Sequence, residues 1–567
     1  MSDDRRQQVA DGRTTLGIEL GSTRIKACLV DEDLVPIAAG SHEWENEFVD
    51  GRWTYSLDAV ETGLRAAYAA LVADVEAQYD VTPTSYRAAG VSAMMHGYLA
   101  FDADDELLVP FRTWRNTSTG PAAERLSDAL GCNIPLRWSV AHLYQAVLDE
   151  EPHVAELAGI TTLAGYVHRR LTGRDVLGVG DASGVFPIDS SPVDSGPGDP
   201  GARDWDDARL RTTQDLLGAA VPDLRALLPE VLVAGDDAGA LTPEGAAWLD
   251  PSGSLQSGVP FCPPEGDAGT GMVATNAVAP RTGNVSVGTS IFAMVVLEQA
   301  LSTPHEELDI VTTPSGDPVA MVHCNNGASE IASWARVFGR FAEAASERTG
   351  GAAPDIDAVY ATLLAEAEHA DPDAGGLLSF NYLAGEPVTH VVDGRPLLLR
   401  TPDARFTLGN LVRSEVHGAF ATLAIGMDVL HDEQVQVDRM TAHGGLFRTP
   451  GAPQRLLAAA LRVPVALEET AGEGGAWGIA VLAAYLEHTD QHLADFLADT
   501  VFGGGAVQVA EPEQRDVDGF QTYLERYRAA LPVQAVAAAT TRASATTDRP
   551  EPADGAEPRL QAEEVTR

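Results

Sequence analysis

Apolar and polar positions alternate at the start of the chain. Leu16, Ile18 and Leu20 alternate with Gly17 and Glu19, Gly21-Ser22-Thr23 follows, and Ile25, Ala27 and Leu29 resume the alternation. Period-two patterning around a glycine–hydroxyl turn predicts a strand, a tight turn and a second strand. The period then lengthens. Val60, Leu64, Ala67, Leu71 and Val75 share one helical face, and Ser56 stands where an N-cap belongs. The opening pattern recurs as Val285 and Val287, then Gly288-Thr289-Ser290, then the apolar run Ile291 to Leu297. Two halves of similar length with the same opening predict a duplicated α/β domain. The last amphipathic helix carries Phe520, Tyr523, Leu524 and Tyr527. Residues 1–13 and 535–567 hold too few large apolar side chains to offset chain entropy and are expected to be disordered tails.

Composition narrows the function classes. The chain has 567 residues, of which 45% are apolar and 21% charged, so it can build ordinary cores in several domains. Lys+Arg total 38 against Asp+Glu 83, a formal net charge of -45. Such a surface does not neutralise phosphates, which argues against a nucleic-acid binder and against docking on anionic membranes. Lys26 is the sole lysine and lies in no G-x-x-x-x-G-K-[ST] context, so there is no P-loop. Cys28, Cys132, Cys262 and Cys324 form no CxxC pair, which argues against a zinc knuckle or a disulfide framework. No apolar signal core or membrane-length run stands out, and a cytoplasmic setting is expected.

The candidate chemistry lies at glycine turns. Gly21-Ser22-Thr23 and Gly288-Thr289-Ser290 would each present successive backbone N–H groups and hydroxyls, a nest for an anion. Two nests facing across a cleft could hold a triphosphate, with Lys26 just beyond the first. Glu19, a carboxylate beside such a nest, calls for a cation, and Mg²⁺ is the usual one. Asp267, in Glu265-Gly266-Asp267-Ala268-Gly269-Thr270-Gly271, is a candidate cleft base; the competing reading is a helix-capping aspartate. Gly269-x-Gly271-x-x-Ala274 mimics a dinucleotide fingerprint, though Pro263 and Pro264 interrupt the strand a true one requires. Met95 and His96 end an apolar strand, where ligand crevices form in α/β sheets. Trp114 and Asn116 offer a flat face beside polar groups, suited to a sugar. Gly444, Gly445, Gly472 and Glu473 lie in glycine-rich segments that would let backbone approach a flat ligand such as adenine. Each of these also has a plain reading as turn, cap or packing residue.

In this order and spacing, the motifs resemble the FGGY carbohydrate kinase family, of the actin-like, ribonuclease H-like ATPase fold, from about Leu16 to Leu486. The resemblance rests on Gly17-Ile18-Glu19-Leu20-Gly21-Ser22-Thr23 with Lys26, on Gly288-Thr289-Ser290, Leu171-Thr172-Gly173, Gly376-Leu377-Leu378, Tyr382-Leu383-Ala384-Gly385-Glu386 and Gly444-Gly445. It implies two actin-like domains flanking a cleft: residues 14–268 for sugar and 269–534 for nucleotide. It further implies Asp267 as the catalytic base and ATP with Mg²⁺ as phosphoryl source, the metal facing Glu19 and Asp267. Gly21, Ser22, Thr23, Lys26, Gly288, Thr289 and Ser290 would hold phosphates. Gly444, Gly445, Gly472 and Glu473 would flank adenine, and Met95, His96, Trp114 and Asn116 would line the sugar side. Three departures touch the site: Glu19 where the family has Asp, Gly385-Glu386-Pro387 without the arginine, and Trp114-Arg115-Asn116-Thr117 in place of Trp-x-Asp. Met95-His96-Gly97 is similar to xylulokinases and the Trp114 spacing to ribulokinases, so a ketopentose is the expected substrate and a homodimer a possible assembly. Two other classes remain: an actin-like ATPase switch without a sugar, and a nicotinamide-dependent oxidoreductase.

Overall fold

The alternating segments fold as a meander. In the computed structural model, residues 2–189, 203–449, 451–467, 474–504 and 507–545 are described. Strands Thr15–Leu20 (β1), Arg24–Val30 (β2) and Pro36–Glu43 (β3) pair antiparallel in succession. Ala88–Ala93 (β4) then joins β1 in parallel, and the two-residue Glu265–Gly266 (β5) joins β4 in parallel, giving the order β5-β4-β1-β2-β3.

The second half repeats this plan. Thr282–Val287 (β6), Ile291–Val296 (β7), Leu308–Thr312 (β8), Pro318–Cys324 (β9), Arg439–His443 (β10), Val465–Leu467 (β11) and Gln508–Ala510 (β12) make one sheet, ordered β8-β9-β7-β6-β10-β11-β12. Its inner five strands reproduce the first sheet: β6/β7 and β7/β9 antiparallel, β6/β10 and β10/β11 parallel. The duplication predicted from two hairpins extends to both sheets. The chain is an α/β protein of two duplicated domains, consistent with the actin-like ATPase fold.

Helices cover both faces of the first sheet, so β1 is buried along nearly its whole length. The helix Leu57–Tyr79 takes one face, buries Val60, Leu64, Ala67, Leu71 and Val75, and is capped by Ser56 Oγ, which accepts the Ala59 N–H at 3.1 Å. The helix Gly475–Tyr485, nearly 400 residues later in the chain, takes the other. It lies so close to β1 that a Cβ at Gly17 would collide with the Ala476 carbonyl and come 2.8 Å from Ala480 N. Leu408–Asp432 forms the buried axis of the second half, and Gln514–Ala530 buries Phe520, Tyr523, Leu524 and Tyr527 as its periodicity predicts.

Three boundary expectations are corrected. Residues 2–10 of the supposed N-terminal tail form a helix, with Val9 buried, Arg5 paired to Asp31 at 3.0 Å and Gln8 Oε1 accepting the Glu32 N–H. One apolar anchor plus polar ties order a segment that composition marks as unfoldable. The expected C-terminal tail from residue 535 continues the helix Val533–Ala545. Alanine favours that helix, and Gln534 brackets the backbone of Arg395, donating to its carbonyl at 3.0 Å and accepting its N–H at 2.8 Å. Residues 546–567 lie outside the described residues. The domain boundary drawn after residue 268 falls inside the helix Asp267–Ala274.

Candidate active site

Register builds the first half of the site. β1, β4 and β5 run parallel with Leu20, Ala93 and Gly266 level. The residues that follow, Gly21, Met94 and Asp267, therefore emerge at one edge, the carboxyl edge where α/β sheets bind ligands. Neighbouring strands stand about 4.8 Å apart, so two steps put Asp267 about 10 Å from the Gly21 turn. Gly266, not Asp267, is the N-cap of the helix Asp267–Ala274, and no side chain caps it. The capping reading of Asp267 is thereby set aside. Its Oδ1 instead accepts the Met95 N–H at 3.1 Å.

Asp267 is open to solvent although protein closes around much of its carboxylate. Loss of surrounding water raises its pKa, and the N–H groups of Met95 and Ala268 oppose the rise. Two buried carboxyl groups stand behind it that the sequence reading did not single out. Glu265 accepts the N–H groups of Gly180 and Asp181 at 3.2 and 3.0 Å, and burial followed by the Asp181 charge lifts it to about 8. Asp181 Oδ2 accepts the Thr162 hydroxyl at 2.6 Å, and Asp181 is lifted to about 7 by burial, with the Asp267 charge adding to the rise. Glu265 was legible as part of the same acidic motif; Asp181 had no local signal.

The two glycine turns share a design. In the first, the carbonyls of Gly21, Ser22 and Thr23 accept from Trp44 Nε1 (2.7 Å), the Tyr55 hydroxyl (2.5 Å) and Trp44 N (3.1 Å). In the second, Gly288 and Thr289 carbonyls accept from Ala328 N (2.8 Å) and Gly327 N (2.7 Å). The turn carbonyls are thus held by groups packed on one side, and the Gly21 N–H is itself taken within the hairpin by the Arg24 carbonyl at 3.0 Å. Ser290 closes the second turn, its carbonyl accepting the Gly288 N–H at 2.9 Å. Parallel register sets β10 level with β6, Ser286 opposite His443. Gly444, at φ 112, lies against the Val287 backbone, where a Cβ would collide with the carbonyl, and Gly445 has open space around it. The second nest and this glycine pair are thus neighbours. Gly472 and Glu473 lie outside the described residues.

Glu19 faces Lys26 across the β1–β2 ladder and Ser92 across β4. Its carboxylate points beneath the first turn of the helix Gly475–Tyr485; a Cβ at Gly475 would come 2.6 Å from Glu19 Oε1 and 3.1 Å from Thr270 Oγ1. Lys26 is thereby placed on the sheet face, one ladder step from Glu19. Among the described residues no group of three His, Cys, Asp or Glu side chains could enclose a metal ion. A hydrated Mg²⁺ needs only one or two carboxylates when phosphates and water complete its shell.

On the other side of Asp267, Met95 is buried and His96 takes φ 70, a left-handed conformation uncommon for histidine. His96 Nδ1 lies 3.4 Å from the Gly184 carbonyl, and burial, then the Arg137 charge, drive its pKa well below the usual value, so the ring is neutral at pH 7. His323 on β9 is likewise held to about 4 by burial and Arg137. Arg137 itself is paired with Asp309 on β8. His323 and Asp309 bring the second half up to His96 and Arg137, which no sequence motif announced. Trp114 is half-buried against the core of the first half. Asn116 departs from expectation. Its amide is committed to backbone, with Oδ1 accepting Trp53 N at 2.9 Å and Nδ2 donating to Trp53 O and Thr113 O at 2.8 and 3.0 Å.

Comparison with known proteins gives two family matches. The N-terminal domain of the FGGY family of carbohydrate kinases matches residues 14–273, and its C-terminal domain matches residues 283–487. A xylulose kinase of Escherichia coli (strain K12) is 24% identical over 460 residues, covering 76% of this chain and 82% of its own. Among solved structures, a xylulose kinase from Brucella ovis superimposes with TM-score 0.72 at 22% identity, covering 92% of this chain and 99% of its own. A gluconate kinase from Lactobacillus acidophilus gives 0.73 at 17% identity, with 93% and 99% covered.

Proposed function

The chain belongs to the FGGY family of carbohydrate kinases, and on that premise we propose that it transfers the γ-phosphoryl group of ATP to a hydroxyl of a ketopentose, D-xylulose or L-ribulose. The observation that carries this reading is the Asp267 carboxylate, anchored to the Met95 N–H at the sheet edge that also bears the Gly21 turn. Xylulose kinases recur among its relatives, and Met95-His96-Gly97 supports the same substrate class. The gluconate kinase superimposes equally well, so overall shape does not choose the sugar.

Asp267 orients the sugar hydroxyl and takes its proton as the oxygen attacks phosphorus. Its raised pKa makes it a somewhat better base than a solvated aspartate. ATP supplies the phosphoryl group as co-substrate, and Mg²⁺ offsets charge on its oxygens. The turns Gly21–Thr23 and Gly288–Ser290 hold the phosphates through the N–H groups and hydroxyls of Ser22, Thr23, Thr289 and Ser290, Lys26 adds positive charge from the sheet face, and Gly444 and Gly445 lie along the adenine side. Met95, the neutral His96 and Trp114 bound the sugar. Among the described residues no helix is long and apolar enough to cross a membrane, and we place the reaction in the cytoplasm, where ATP is abundant and four free thiols persist.

The test is ADP release with ATP and a panel of D-xylulose, L-ribulose, aldopentoses, glycerol and gluconate. Turnover greatest with a ketopentose is expected. Turnover confined to gluconate or glycerol would overturn the substrate assignment, and hydrolysis indifferent to every sugar would favour the actin-like switch.

A further inference from the structure

The first phosphate turn and the Trp114 loop lie some 90 residues apart in sequence, yet a single hairpin holds both. Glu47–Val49 pairs antiparallel with Arg52–Thr54 around Asp50-Gly51, both at positive φ. At the base of the hairpin, Trp44 and Tyr55 stack with ring centroids 4.2 Å apart, and both are buried. Their three donors take all three carbonyls of Gly21-Ser22-Thr23. Further along, both polar backbone groups of Trp53 are bound to the other loop. Its N–H donates to Asn116 Oδ1 and its carbonyl accepts from Asn116 Nδ2 and from Thr113 N at 3.3 Å. The Arg115 guanidinium lies 4.0 Å over the Trp53 ring and donates to Asn46 Oδ1 at 2.9 Å, and Asn46 Nδ2 reaches the Tyr55 hydroxyl at 3.4 Å.

We propose that the Trp44–Tyr55 hairpin is a strut that couples the sugar-side loop 113–116 to the phosphate turn 21–23, with Asn116 and Tyr55 as positioning residues at its two ends. The proposal rests on the reading of that turn as a phosphate holder. Peptide planes are rigid, so fixing a carbonyl fixes the direction of the N–H on the same plane. Trp44 and Tyr55 therefore set where the N–H groups of the turn aim. Any shift of loop 113–116 pulls Trp53 through two opposed hydrogen bonds, and Tyr55 follows two residues later. Binding linkage is reciprocal, so a tighter phosphate turn means a better-seated sugar loop and the converse. The Arg115–Asn46 contact is exposed and contributes less than the buried Asn116 clasp.

The test compares wild type, Tyr55→Phe, Asn116→Ala and the double variant. MgATP affinity is measured by calorimetry, and KM for ATP and for D-xylulose by ADP release. Tyr55→Phe should raise the D-xylulose KM although the Tyr55 hydroxyl donates to the phosphate turn, and Asn116→Ala should weaken MgATP although Asn116 touches only the hairpin and its own loop. Each effect is about fivefold, at the lower end of the coupling usual between two sites. The double variant should be far from multiplicative, because both changes break one connection. If Asn116→Ala does not fold, Tyr55→Phe decides alone, since it removes a single oxygen. An unchanged D-xylulose KM in Tyr55→Phe, an effect of Asn116→Ala on D-xylulose alone, or multiplicative effects in the double variant would overturn the strut. Wild-type protein that does not bind MgATP would instead remove the nucleotide reading, and the strut with it.

Discussion

Buried carboxyl groups without a basic partner are costly, and the chain keeps several. Glu415, on the helix Leu408–Asp432, is almost fully enclosed; burial lifts it to about 7, against the Ser379 hydroxyl that donates to its Oε1 at 2.9 Å. An unfolded glutamate titrates near 4.3. Because the folded value is the higher one, the contribution to stability is complete below the unfolded pKa and is lost as pH rises through about 7. The melting temperature should therefore fall between about pH 4.5 and pH 7.5, and Glu415→Gln should flatten part of that fall. An unchanged pH slope in Glu415→Gln would contradict the assignment. At this scale the sequence was informative where chemistry and turn coincide. Asp267, both glycine turns, Met95 and His96 emerge at strand ends as their motifs imply. The backbone bonds of Asn116 were not legible, because a side-chain amide beside a tryptophan looks the same in sequence whether it meets a sugar or a backbone.

Between elements, close approach decides the geometry. The helix Gly475–Tyr485 reaches β1 only because Gly17 has no side chain, and its Gly478 lies where a Cβ would collide with the Thr270 carbonyl. The same helix thus spans from the Glu19 strand to the helix that Asp267 begins. Gly17→Ala should force strand and helix apart and cost about 1–3 kcal/mol, as overpacking of a dense interior does. Thermal unfolding would show it as a lowered melting temperature, while Gly120→Ala, at a position with open space around it, should change little. Equal melting temperatures for both variants would mean that the contact is not tight. The strands and major helices were legible from periods of two and 3.6. The docking of a late helix on the first sheet was not, since its burial is nearly complete and leaves no polar face to mark a direction.

The whole molecule is two copies of one topology joined along a broad seam. β8 leans on the first half through Thr312, whose hydroxyl donates to Val179 O at 2.9 Å and whose N–H donates to Ser183 Oγ at 3.1 Å. Asp309 adds Arg137 and Asn133 to the same seam. The duplication was readable from two short hairpins because a glycine turn must recur wherever the nest recurs. The seam was unreadable, because contacts between distant segments leave no periodic trace. Residues 2–10 and 535–545 are helical against a composition that predicts tails for a related reason: a few tertiary anchors outweigh a polar composition.

All of this architecture converges on one carboxylate at a sheet edge. The most direct test is Asp267→Asn, assayed for ADP release with D-xylulose alongside calorimetric binding of MgATP. The account predicts that MgATP still binds while sugar-dependent turnover falls by about 10²–10⁴-fold, the usual share of a positioned base. Near-normal turnover in that variant, with MgATP bound as in wild type, would contradict it.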